Sequence, residues 1–146
     1  MIVPDVNVLV HAWWAESAAH ERGRKWLEEA VAAPEILGLS EHVLSGVVRI
    51  LTHPRVTGGA FSAADVLERA NDVLEAGGVT PVRPGPRHWT IFAQLCARRD
   101  ARGNTVPDCY RAALAMEHGA TWVSLDSFFG TIDGLDWRRP WPAESS

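Results

Sequence analysis

Three aspartates, far apart along the chain, share a local setting suited to metal chemistry. The apolar run Met1-Ile2-Val3-Pro4 leads into Asp5, and Thr121-Trp122-Val123-Ser124-Leu125 leads into Asp126. Between them, Asn104-Thr105-Val106-Pro107-Asp108 puts a third acid in a turn entering a helix. In an open α/β sheet, ligands collect outside the carboxyl ends of the strands, near the point where the strand order reverses. Carboxylates delivered there from distant segments would form one acidic, oxygen-lined pocket. Such a pocket suits a hard divalent cation better than zinc or haem, and points to metal-assisted phosphoryl chemistry. Each acid also has a plainer role, since Asp is a favoured helix cap. Three in one setting favour a shared site, and one carboxylate oxygen can cap while the other binds metal.

Asn7, in the first turn after Asp5, and Ser124, just before Asp126, are read as residues that orient the carboxylates or a metal-bound water. The Asp5–Asn7 spacing lacks the second aspartate that a phosphatase of the Asp-x-Asp kind would use as general acid. No phosphate-binding glycine loop and no Ser or Cys nucleophile motif is present. The six histidines, His11, His20, His42, His53, His88 and His118, form no close pair of the zinc type. Arg98, Arg99 and Arg102 flank the loop leading to Asp108 and are read as contacts for an RNA backbone, although a charge cluster is commonly a solvated face.

The elements that must position these residues alternate between strand and helix. A strand at Ile2–Val3 precedes a helix from Val6 to Trp14, with Val6, Leu9, Val10 and Trp13 on one face. A second helix starts at Ser17 or Ala18 and runs to about Ala32, before Pro34. Ile36 to Leu39 is a short apolar strand, and Ser40 caps a helix from Glu41 to Leu51 that His53-Pro54 ends. Thr57-Gly58-Gly59 reads as a loop. Ser62 caps a helix through about Glu75, terminated by Gly77-Gly78. A third strand, Val79 to Val82, leads through Arg83-Pro84-Gly85-Pro86 to a helix from Trp89 to Arg99. A polar loop, a helix from Pro107 to His118 and a strand from Thr121 to Leu125 follow. The tail adds a short edge strand around Trp137. This alternation predicts right-handed crossovers and a parallel sheet.

At 146 residues the chain reads as a single domain, 1–146, able to bury about two thirds of its unfolded surface. The net charge of −4 argues against a nonspecific nucleic-acid coat. The basic residues are arginine apart from Lys25, however, and arginine matches phosphate geometry. Cys96 and Cys109 are too few for a disulfide scaffold and read as core residues in a reducing cytoplasm. Asp5 and Asn7 interrupt the apolar N-terminus, so neither a signal peptide nor a membrane span is expected.

Taken together, Asp5 with Asn7, the stretch Arg49-Ile50-Leu51-Thr52-His53-Pro54, Val106-Pro107-Asp108 through Ala113 to His118-Gly119-Ala120, and Ser124-Leu125-Asp126 with Phe129 resemble a PIN-domain ribonuclease of the VapC toxin type. The resemblance implies an α/β/α sandwich around a short central parallel sheet. It implies RNA cleavage dependent on Mg2+, with Mn2+ able to substitute, and a cognate antitoxin partner in a type II toxin–antitoxin pair. It places Asp5, Asp108 and Asp126 as the metal-site acids. Many relatives carry a glutamate three residues before the arginine of the helix ending in Thr-His-Pro; here that place holds Gly46. Glu41, in the first turn of the same helix, is the candidate to replace it. A second acid often follows the last motif, where this chain has Ser127 and Phe128. The rival reading is a catalytically weakened PIN-like module that binds RNA or protein. A homodimer is also expected, burying the Val6–Trp14 helix or exposed tryptophans, with an antitoxin helix in a groove and a basic side chain among the aspartates.

Overall fold

The computed structural model describes residues 1–144. Its first strand, β1 (Ile2–Pro4), is wholly buried and ends at Asp5, whose carboxylate caps the following helix, α1 (Val6–Trp13). Helix α2 (His20–Ala32) leads to strand β2 (Leu37–Ser40) and helix α3 (Glu41–Leu51). Ser40 caps α3 as expected, its Oγ accepting from the Val43 N–H at 3.2 Å. A short helix α4 (Pro54–Thr57) precedes α5 (Ala63–Leu74), strand β3 (Val79–Val82) and helix α6 (His88–Arg99). Helix α7 (Thr105–Glu117), strand β4 (Thr121–Val123), a 3-10 turn (Ser127–Thr131) and strand β5 (Asp136–Arg138) complete the chain.

The five strands are parallel and lie in the order β3-β2-β1-β4-β5, flanked by helices. From β1 the chain builds outward to β2 and β3, then returns to the other side for β4 and β5. The strand order therefore reverses between β1 and β4, and a crevice opens at their carboxyl ends. Pro4 is in register with Val123, and the Asp5 N–H donates to the Val123 carbonyl at 2.8 Å. Asp5 and Ser124 are thereby set side by side. The edge strand expected at Trp137 is present, and its indole N–H donates to the Ser124 carbonyl at 3.1 Å, bracing that corner from the far side.

Several expectations change. Helix α1 does not offer a one-sided apolar face: Val6, Val8, Leu9, Val10, Ala12 and Trp13 are all buried, because α1 packs against both α2 and α3. What α1 leaves partly exposed is Asn7 and His11, so the helix has no free apolar face to serve as the homodimer surface. Helix α2 starts only at His20, since the Ser17 hydroxyl engages the His11 ring and the Ala19 N–H and closes a turn. Residues after His53 wind into α4 because Pro54 stands at its first position, and the turn closes at Gly58, whose φ of +67° favours glycine. Helix α7 begins two residues before Pro107; in a first turn the missing proline N–H forfeits no bond. Asp108 thus lies in the first turn of the helix, where the expected Pro107–His118 helix also placed it. The 3-10 turn was not expected. It is pinned by Phe129, which is fully buried against Trp122 at 5.6 Å between ring centres, a burial that contributes about 1.5–3 kcal/mol. Among the described residues no helix is long and apolar enough to cross a membrane.

Candidate metal-dependent active site

At the crevice between β1 and β4, Asp5, Asp108 and Asp126 line one open cavity of about 340 Å3, together with Asn7, Arg49 and Arg111. Three different elements deliver the acids. Asp5 ends β1, Asp126 precedes the 3-10 turn, and Asp108 sits in the first turn of α7. Two of them cap as well. Asp5 Oδ1 accepts from the Val6 N–H at 2.7 Å, and Asp126 Oδ1 accepts from the Phe128 N–H at 2.9 Å.

Ser124 and Asn7 tie these segments together. The Ser124 hydroxyl donates to Asp5 Oδ2 at 2.7 Å and accepts from the Asn7 amide at 3.1 Å and the Asp126 N–H at 3.1 Å. The Asn7 carbonyl oxygen in turn accepts from the Leu125 N–H at 3.2 Å. Ser124 is fully buried and its one proton is committed to Asp5, so the hydroxyl fixes that carboxylate while its lone pairs hold the start of the Asp126 loop.

The electrostatics are those of carboxylates short of positive charge. Asp5 is buried, and loss of water pushes its pKa up against the pull of the Ser124 hydroxyl, the Val6 N–H and the Arg111 charge; the Asp126 charge pushes it further up. Asp108 is also raised, again chiefly by burial, with repulsion from Asp126 and Asp5 opposing the pull of Arg111. Desolvation outweighs the repulsion between the acids. Arg111, one helical turn after Asp108, donates from Nη1 to Asp108 Oδ1 at 3.3 Å, while its buried Nε has no partner.

The donor chemistry fits a hard cation, since every candidate ligand is an oxygen and the local negative charge exceeds the positive. The acids are not, however, drawn into a finished cage. Among the described residues no three His, Cys, Asp or Glu side chains stand close enough to hold a metal ion, and Arg111 takes one side of Asp108. That arrangement suits Mg2+, which keeps several waters and needs only one or two carboxylates.

Glu41 is not part of this set. It lies in the open, where Arg83 Nε donates to its Oε1 at 2.7 Å, and this bond holds its pKa below the usual carboxylate range. The place of the absent glutamate, Gly46, faces α1 instead; a Cβ there would meet Val6 Cγ2 at 3.0 Å. Glycine at 46 lets α3 approach α1 closely beside Asp5, and no carboxylate enters from that position. The three loop arginines also lie elsewhere. Arg99 donates to the Thr131 carbonyl and hydroxyl and lies over the Phe128 ring, Arg98 shares a groove with Ile132 and Asp133, and Arg102 pairs with Asp100. The arginines at the cavity are Arg49 and Arg111. Arg111 was legible in principle, because a spacing of three on a helix places it beside Asp108.

Comparison with known proteins follows the same outline. A family model described as "PIN domain" matches residues 2–135. "Ribonuclease VapC43" of Mycobacterium tuberculosis is 40% identical over 140 residues, covering 96% of this chain and 95% of that protein. "Ribonuclease VapC25" of the same organism is 31% identical over 140 residues, covering 96% and 99%. Among solved structures, VapBC2 from Rickettsia felis bound to a promoter DNA fragment superposes with a TM-score of 0.69 at 16% identity, covering 95% and 98%. The Sarcin-Ricin loop cleaving toxin VapC20 of Mycobacterium tuberculosis gives a TM-score of 0.66 at 18% identity, covering 89% and 93%.

Proposed function

The chain belongs to the PIN-domain family, and we propose that it is a metal-dependent endoribonuclease acting in the cytoplasm as the toxin of a type II toxin–antitoxin pair. The observation that carries the reading is the convergence of Asp5, Asp108 and Asp126 on one cavity at the strand-order reversal. The relatives named ribonucleases support the activity, and solved neighbours described as toxin–antitoxin complexes support an antitoxin partner.

In this reading Asp5 and Asp108 are the principal ligands, and Asp126 completes the set directly or through water. When bound, Mg2+, or Mn2+ in its place, would supply a nucleophile at neutral pH and stabilise charge on the scissile phosphate. The chain's own residues do the positioning. Ser124 holds Asp5 in one rotamer, and Asn7 fixes Ser124 and the Leu125 backbone, so the two strand ends keep a constant separation. Arg111 donates to Asp108, and its unpartnered Nε gives it a spare donor that would suit a substrate phosphate beside Asp108. Attack by water on phosphorus, in line with the P–O3′ bond that breaks while the departing 3′-oxygen takes up a proton, would leave a 5′-phosphate and a 3′-hydroxyl, as the resemblance implies.

An antitoxin arginine entering the same cavity would compete for these aspartates with the same charge-assisted bonds. Self-pairing has to use a surface other than α1. The second reading, a weakened module that binds without cutting, draws on Gly46 and on the commitment of Glu41 to Arg83. Cleavage of structured RNAs in Mg2+ by the wild type and by Asp5→Asn separates the two. The nuclease reading expects products from the wild type alone; equal products from both, or none from either, reject it.

A further inference from the structure

A row of aromatic rings runs across α7 and α6 beside the acidic cavity, and the cleavage chemistry makes no use of it. The Tyr110 ring centre lies 4.9 Å from that of His42 on α3, 4.3 Å from His88 and 5.6 Å from Phe92. Phe92 continues the row to Trp89 at 5.5 Å. His88 is buried beneath, its Nε2 2.9 Å from the Tyr110 carbonyl, so it braces the row from below. The other rings reach solvent. Trp89, 71% exposed, is the most exposed of the large apolar side chains among the described residues.

The inner end of the row lies beside the cavity without lining it. Tyr110 directly precedes Arg111, which lines the cavity. His42 lies close enough to Arg111 that the guanidinium, after burial, helps hold its imidazole below the ordinary value. A phosphodiester seated between Asp108 and Arg111 would therefore have its neighbouring nucleotides beside Tyr110.

We infer that this row is a stacking platform for single-stranded RNA, on which Tyr110, Phe92 and Trp89 seat unpaired bases flanking the phosphate held at Arg111. The inference rests on the ribonuclease reading of the cavity. Three features select a nucleic acid over a protein segment. The exposed groups are aromatic rings rather than a contiguous aliphatic groove, the guanidinium of Arg111 follows Tyr110 in sequence, and the row lies beside a cavity that a phosphodiester has to enter. Stacking on aromatic rings tolerates any base, because every base has a π-face. The platform would thus hold a strand open at the cut without choosing its sequence.

The test uses the full chain with a single-stranded RNA substrate in Mg2+, comparing wild type, Trp89→Ala and Trp89→Phe. Trp89 is exposed, so folding survives its replacement. Trp89→Ala is expected to raise KM about tenfold, with the loss falling on KM rather than kcat, and Trp89→Phe to restore most of it. In parallel, 5-iodouridine RNA is photo-cross-linked to the wild type in EDTA and the adduct mapped; adducts are expected at Trp89 or Tyr110. An unchanged KM in Trp89→Ala, or adducts confined to other segments, overturns the platform. So does a shift from dimer to monomer on sedimentation of Trp89→Ala, which would make the row a self-association face. A wild type that cuts no RNA yet cross-links through Trp89 overturns the nuclease reading and keeps the platform; normal cutting with indifferent Trp89 variants does the reverse.

Discussion

Asp5 and Glu41 occupy matching places, each at the junction of a buried strand and the first turn of a helix, and they behave in opposite ways. Asp5 is buried, and desolvation pushes its carboxyl up despite the Ser124 hydroxyl and the Val6 N–H. Glu41 stands in water with Arg83, whose hydrogen bond holds it down. Asp65, in the capping box with Ser62 at the start of α5, sides with Glu41 and is also lowered. A helix start therefore does not mark a site, since the dipole and the free N–H groups are common to all three. The mark is a carboxylate whose burial is left uncompensated by nearby positive charge, because that is where a cation gains most.

The contrast makes unequal predictions for the two places. Asp5→Asn and Asp108→Asn should each lower RNA cleavage by about 10^2-fold or more, measured as kcat in Mg2+, because each would remove an anionic ligand of the cation that stabilises charge on the reacting phosphate. Activity within a few fold of wild type in either variant would erase the distinction. Arg111→Ala should cost somewhat less, about 10- to 100-fold in kcat/KM, with Arg111→Lys retaining part of the activity as a point charge without the planar fork. A fully active Arg111→Ala would leave Arg111 as a counter-ion of the resting protein only.

Stability should move in opposite directions at the two places. Asp5 has a folded pKa above its unfolded one, so between the two values the folded protein binds the extra proton. Wild type thus loses stability as pH rises through that window and carries the full penalty above it. In EDTA at neutral pH, Asp5→Asn should therefore melt higher than wild type, the gap closing as pH falls toward the ordinary carboxylate range. For Glu41 the sign reverses: its contribution is present above the ordinary carboxylate range and lost as pH falls through the depressed folded value. Glu41→Gln should melt only slightly lower at neutral pH, less so in high salt, since an exposed ion pair is screened. Its cleavage rate should match wild type. A large loss of cleavage in Glu41→Gln would mean that the pair with Arg83 opens in the active protein and that Glu41 reaches the cavity after all.

Much of the frame was legible because its signals are local. Ser40 and Ser62 cap where their spacing indicates, the strands follow their apolar runs, and Trp137 sits on the edge strand. The three aspartates could be grouped because each follows or enters an element in the same way. What could not be read depends on tertiary packing. Nothing local to Val6–Trp13 says that neighbours cover the helix on more than one side, and so the helix reads as one with a single apolar face free for a partner. The partner of Glu41 comes from the loop after β3, and the partner of Arg99 from the turn after β4, both distant in sequence. The 3-10 turn depends on Phe129 finding Trp122. Ser124 could be proposed as a support, but the direction of its single proton followed only from seeing Asn7 and the Asp126 N–H on its other side.

The central claim is that the cavity aspartates, and not Glu41, hold the metal. Titrating Mn2+ into wild type, Asp108→Asn and Glu41→Gln, with free Mn2+ followed by electron paramagnetic resonance and no RNA present, tests it without relying on catalysis. The account predicts saturable binding by wild type and Glu41→Gln with equal affinity, and a loss of about tenfold or more in Asp108→Asn. Binding that survives in Asp108→Asn, or that disappears in Glu41→Gln, would contradict it.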